Sequence, residues 1–119
     1  MSNPFVHMEL NTTDACRAKA FYGKLFDWKM EDVPMGPTTY TMLGVGQGTA
    51  GGLVQHPIQG GTSAWLPYVM VDDLAAATEK ARDLGAEVRQ DVTEIQGRGW
   101  LSIIIDPTGA MLALWKPKM

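Results

Sequence analysis

The chain has a single cysteine, Cys16, among its 119 residues, so no internal disulfide can form. It has no excess of basic charge: ten Lys and Arg stand against thirteen Asp and Glu, a formal charge of −3, and no Lys/Arg run or basic–aromatic stripe is present. Phosphate recognition needs a basic face, so a nucleic-acid partner is not expected. It has no long hydrophobic run either. Stretches such as Ile103-Ile104-Ile105 are far too short to span a bilayer, so no membrane partner is expected. The first residues, Met-Ser-Asn-Pro-Phe-Val-His, lack the basic and apolar regions of a secretory signal, and the lone cysteine suits a reducing compartment. A cytoplasmic location is the expectation.

What remains is ordinary globular composition, with 45% hydrophobic and 19% charged residues. The length implies one domain, residues 1–119, able to bury roughly two-thirds of its unfolded surface without a disulfide or metal. Eight methionines suit flexible core filling or an adaptable pocket.

The main organisational signal is a repeat. Phe5–Leu10 and Leu66–Val71 both read as strands, and each runs into helix-start chemistry, Asn11-Thr12-Thr13-Asp14 in one case and Asp72-Asp73 in the other. Ala18, Phe21, Tyr22 and Leu25 then share one helical face, as do Leu74, Ala77, Ala81 and Leu84, and Gly85 is placed to end the second helix. Short strands follow at 28–33 and 87–92. A 60-residue shift sets Trp28 on Val88, Tyr40 on Trp100, Leu43 on Ile103, Val54 on Leu114 and Pro57 on Pro117. Turns fall at Gly46-Gln47-Gly48-Thr49 and at Asp106-Pro107-Thr108-Gly109. Each half therefore reads β-α-β-β-β, about 4–57 and 64–117, joined by a Gly- and Pro-rich connector over 55–64. The competing reading is chance similarity between two ordinary α+β segments.

Several pieces, in this order, carry a family resemblance: Ala-Phe-Tyr-Gly-Lys-Leu-Phe-Asp-Trp (20–28), Tyr-Val-Met-Val-Asp-Asp (68–73), Leu-Gly-Ala-Glu-Val (84–88) and Asp-Pro-Thr-Gly-Ala (106–110). Over nearly its whole length the chain resembles the glyoxalase/bleomycin-resistance/extradiol-dioxygenase (vicinal oxygen chelate) superfamily. The resemblance implies an α+β fold in which two β-α-β-β-β modules form a curled mixed sheet around a cavity, with helices outside. It also implies a homodimer; open sheet edges favour pairing as well.

Metal-using members of the superfamily take one ligand from the first and one from the last strand of each module. A catalytic divalent ion needs several His or carboxylate donors converging on one point. His7 matches the first such position. The others fall on Leu66 (or Pro67), Leu53 and Ala113, which cannot donate; registers two residues away bring in Glu9, Gln55 or Tyr68 without completing a set. No cofactor is therefore expected, with a divalent metal the disfavoured alternative. His56, at a strand end, reads as a surface residue or, less simply, a ligand.

Strand alternation sorts the rest. Val6, Met8 and Leu10 are apolar and should pack on a helix, leaving Phe5, His7 and Glu9 for the cavity. Pro67, Val69 and Val71 correspond to the first set, and Leu66, Tyr68 and Met70 to the second. Tyr40, Trp100 and Trp115 are candidate walls, or else core or interface aromatics. His7 and Glu9, two apart on one strand, form either an acid–base unit or a satisfied structural pair, or Glu9 is anchored by an arginine. Arg98, in the Gln96-Gly97-Arg98-Gly99 loop, is a candidate anion contact or a solvated cation. Cys16 near a helix start is a weakly activated thiol or a plain small residue.

The function expected is binding of a small organic molecule in the cavity by a glyoxalase-like protein without the usual metal. His7 and Glu9 are the catalytic candidates, and Tyr40, Tyr68, Met70, Trp100 and Trp115 the ligand-binding ones. The alternatives are a metal-dependent lyase or dioxygenase of the glyoxalase type, and a non-catalytic protein that sequesters a drug-like ligand.

Overall fold

The computed structural model describes residues 2–35, 37–56 and 61–118. Its elements run β1 (Phe5–Asn11), α1 (Ala15–Leu25), β2 (Lys29–Met35), β3 (Thr38–Gly44), β4 (Gly51–Val54), β5 (Ala64–Met70), α2 (Leu74–Asp83), β6 (Glu87–Ile95), β7 (Gly99–Ile105) and β8 (Met111–Pro117). The class is α+β, and β-α-β-β-β occurs twice in succession. The chain divides into two compact units, His7–Leu66 and Met1–Val6 with Pro67–Met119. Pro57, expected to match Pro117, lies with residues 58–60 of the connector outside the described residues.

In the first unit the strand order is β2-β3-β4-β1. β1 and β4 are parallel, with Glu9 opposite Gly52 and Asn11 opposite Val54; β4 with β3 and β3 with β2 are antiparallel. Parallel neighbours need a crossover, and α1 with β2 and β3 supplies it. Asp14 caps α1, its carboxylate accepting the Arg17 N–H at 3.1 Å. Leu10, Leu43 and Leu53 are buried together under Ala15, Ala18, Tyr22, Trp28 and Met30. Removing one such leucine from water contributes about 1.5–3 kcal/mol, so the helix-facing side anchors this unit. Phe21 and Leu25, expected on the buried face of α1, are 58% and 56% exposed. Phe21 lies about 90° around the helix from the Ala15–Ala18–Tyr22 stripe, and Leu25 is in the last turn.

The second unit repeats the plan in the order β5-β8-β7-β6, with β5 and β8 parallel and β6 bulged against β7. Asp73 caps α2 at the Ala76 N–H, 3.0 Å away. Gly85, at φ 104°, closes the helix: its N–H donates to Arg82 O while Ala86 N–H reaches back to Ala81 O, the pairing of a Schellman cap. Leu74, Ile104 and Leu114 form the core with Val71, Ala77, Ala81, Val88 and Trp100 around them. Leu84 is exposed; the polar Thr78 is buried instead, its hydroxyl bonded to Leu74 O and 2.8 Å from Ser102 Oγ. Among the described residues no helix is long and apolar enough to cross a membrane.

Candidate functional site

β1 alternates as its sequence demands. Leu10 enters the helix-facing core of the first unit, so Glu9 and His7 lie on the other face. On β3, Leu43 also enters that core, which puts Tyr40 on the face of His7 and Glu9. The three side chains meet there. His7 Nε2 is 2.7 Å from the Tyr40 hydroxyl, and that hydroxyl donates to Glu9 Oε1 at 2.9 Å. A phenol has one proton to give. With it committed to the Glu9 carboxylate, the Tyr40 oxygen accepts from His7 Nε2–H. The result is a directed chain: imidazole N–H to phenol, phenol O–H to carboxylate.

The surroundings sharpen this chain. Tyr40 and Glu9 are buried, and His7 is half-buried. Burial holds the His7 imidazole below its ordinary value, so it is neutral at pH 7. A neutral imidazole backed through a phenol by a carboxylate can accept a proton, and the imidazolium so formed is stabilised along the same bonds.

Two residues absent from the sequence-based expectations complete the face. Gly52 on β4 lies under the Tyr40 ring, where an added Cβ would fall 2.0 Å from the phenolic oxygen. Asn11, opposite Val54 and 3% exposed, continues the row from His7 and Glu9. Gly52 is inconspicuous in the sequence, because only the register of β4 against β1 and β3 brings it to this place; Asn11, read in the sequence as helix-start chemistry, is the last residue of β1 and shares the face of Glu9 by strand alternation.

The remaining candidates are distributed otherwise. Tyr68 and Trp115 share a face of the second unit, with ring centroids 5.9 Å apart, and Met70 lies opposite Trp115 in register. Trp100 departs from the expectation: it packs against the Leu74–Ile104–Leu114 core, with Lys116 Nζ 5.9 Å from its ring, on the side of β7 and β8 away from Tyr68 and Trp115. Leu53 and Ala113, matched by the 60-residue shift, occupy opposite kinds of face. Leu53 is in the helix-facing core, whereas Ala113 pairs with Tyr68. An offset wrong by one residue reverses a strand's faces. His56, Arg98 and Cys16 are exposed. Gln55 serves α1, its Oε1 accepting the Ala15 N–H at 2.9 Å.

The donor set does not fit the metal of the metal-using relatives. On the His7 face β4 offers only Gly52 and Val54, Leu66 is a buried leucine and Ala113 carries only a methyl group. Among the described residues no three His, Cys, Asp or Glu side chains gather where an ion could sit.

The sequence profile of the family described as "Glyoxalase-like domain" matches residues 7–114. The chain belongs to that family. It is 34% identical over 114 residues to the "Putative glyoxylase CFP32" of Mycobacterium tuberculosis (strain CDC 1551 / Oshkosh), covering 92% of this chain and 44% of that protein. It is 25% identical over 123 residues to the anthracycline biosynthesis protein DnrV of Streptomyces peucetius, covering 91% of this chain and 45% of that protein. The glyoxalase-like chain thus spans less than half the length of these relatives. Among solved structures, a glyoxalase/bleomycin resistance protein/dioxygenase superfamily member from Vibrio splendidus 12B01 superposes with a TM-score of 0.63 at 14% identity, covering 98% of this chain and 100% of that one. At that identity the likeness establishes the fold.

Proposed function

We propose that this glyoxalase-like chain binds a small α-hydroxycarbonyl compound on the His7–Glu9–Tyr40 face and moves a proton on it without a metal. The observation that carries this reading is the directed hydrogen-bond chain that links a neutral, half-buried imidazole through Tyr40 to Glu9. A carbon next to a carbonyl is a weak acid whose proton a positioned neutral base can remove. His7 takes that proton. The electron pair moves into a carbon–carbon double bond as the carbonyl oxygen takes up the charge; return of the proton to the same carbon restores the starting compound, and its delivery to the former carbonyl carbon, with the hydroxyl proton passing to the oxyanion, gives the isomeric hydroxycarbonyl. Tyr40 and Glu9 are positioning residues: they hold the ring by its Nε2 and stabilise it once charged. The metal-free assignment is supported by Gly52 and Val54, which occupy the His7 face of β4, and by Leu66 and Ala113, none of which can donate to a metal. A relative named as a glyoxylase is consistent with carbonyl substrates.

The test is deuterium uptake from D2O into the CH2 group of 2-hydroxyacetophenone, followed by proton NMR. Wild-type protein is expected to exceed buffer, and His7→Gln to lose about 100-fold or more of that rate, the usual contribution of a general base. Exchange no faster than buffer, or undiminished in His7→Gln, refutes the proposal.

A further inference from the structure

Among the described residues, one buried side-chain polar atom has no hydrogen-bond partner: Asn11 Oδ1. Native interiors rarely leave such an acceptor unsatisfied, because its hydration is lost with nothing in return. Simple relief was available to the sequence, since Val54 stands opposite Asn11 and an apolar side chain at 11 would suit that neighbour. The position is also specific. Asn11 is the second residue beyond Glu9 on β1, hence on the same face and about 7 Å further along the strand. Val54, its register partner, is in turn opposite Tyr40 on β3. The unpaired acceptor therefore extends the row that carries the proton-transfer groups.

We propose that Asn11 is a specificity-determining residue of this face, whose carboxamide oxygen receives a hydrogen bond from a hydroxyl or N–H carried by the ligand. The inference rests on the ligand-binding reading given above and adds a requirement to it. The ligand is longer than its reacting carbons and carries a donor at its far end, where Asn11 and Val54 stand side by side. Asn11 orients and selects; it touches no reacting atom.

The test compares the binding of 2-hydroxyacetophenone with that of 2,4′-dihydroxyacetophenone, which adds a hydroxyl at the far end of the ring. Wild-type protein should prefer the second compound roughly tenfold, the worth of one net hydrogen bond. Asn11→Leu should abolish the preference while keeping affinity for the first compound, and should raise the urea midpoint of the free protein by removing a buried unpaired acceptor. Asn11→Ala, which makes no demand on space, should lose the preference in the same way. A preference that survives in both variants overturns the proposal, as does Asn11→Leu being less stable than wild type. Wild-type binding of both compounds with equal affinity overturns the role of Asn11 and leaves the proton-transfer reading standing. Failure of both compounds to bind overturns both.

Discussion

Gly52→Ala is the sharpest perturbation the structure offers, because it adds one methyl group and no polarity. The backbone at Gly52 is not in the left-handed region, so alanine meets no conformational strain there. The cost is steric. The new Cβ would stand 2.0 Å from the Tyr40 hydroxyl oxygen and 2.2 Å from two of its ring carbons, where ordinary contact begins at 3.4 Å. The ring must retreat by more than an ångström. Its hydrogen bonds to His7 and Glu9, 2.7 and 2.9 Å long, cannot survive that shift. Overpacking costs about 1–3 kcal/mol, and a hydrogen bond to a charged group about 1.5–3 kcal/mol, so a net loss of about 2.5–6 kcal/mol is expected. Urea unfolding followed by tryptophan fluorescence measures it. Tyr40→Phe, which keeps the ring and drops the hydroxyl, should lose less. In a Tyr40→Ala background the clash is gone, and Gly52→Ala should then cost under about 0.5 kcal/mol. Equal costs of Gly52→Ala in the two backgrounds would refute the placement of Tyr40 over Gly52.

Two further outcomes are expected. Because burial lowers the folded-state value of His7 below its ordinary value of about 6.5, the unfolded chain binds more protons in that range. Stability is then fully present above about pH 6.5 and falls as pH drops through 6.5 toward the folded value, by up to about 1.4 kcal/mol per pH unit. Urea midpoints at pH 7.5 and 5.5 should diverge in wild type and converge in His7→Gln; an unchanged slope in the variant would show that another group is responsible. The hydrogen-bonded carboxylates Asp32 and Asp106, held below their ordinary values, release their contribution only at more acidic pH, which keeps the two windows apart. Gly85→Ala should lose about 1–2 kcal/mol by thermal or urea unfolding, since at φ 104° its cost is conformational and the nearest atom to a new Cβ is Pro107 Cγ at an easy 3.7 Å; a neutral substitution would mean the helix ends without the Schellman pairing.

What the sequence by itself determined is local and periodic. The order β-α-β-β-β, the Asp14 and Asp73 caps, the Gly85 stop and the Asp106–Gly109 turn all follow from chemistry within a few residues of chain. So does the shared face of His7 and Glu9, because a strand repeats every two residues whatever it pairs with. The tertiary structure decided everything that depends on register between strands. It brought Tyr40 between His7 and Glu9, required Gly52 to be bare beneath the ring, left Asn11 buried with its oxygen unpaired, sent Leu53 to the helix side and turned Trp100 away from Tyr68. Sequence spacing could not supply this. The 60-residue shift that aligns the sequence is one residue out on these strands, where Leu10 corresponds to Val71, Leu43 to Ile104 and Leu53 to Leu114, each 61 residues on, whereas the helices start 59 residues apart. Each change of a single residue reverses which face a side chain serves, and loop lengths and packing settle it only when the strands are assembled.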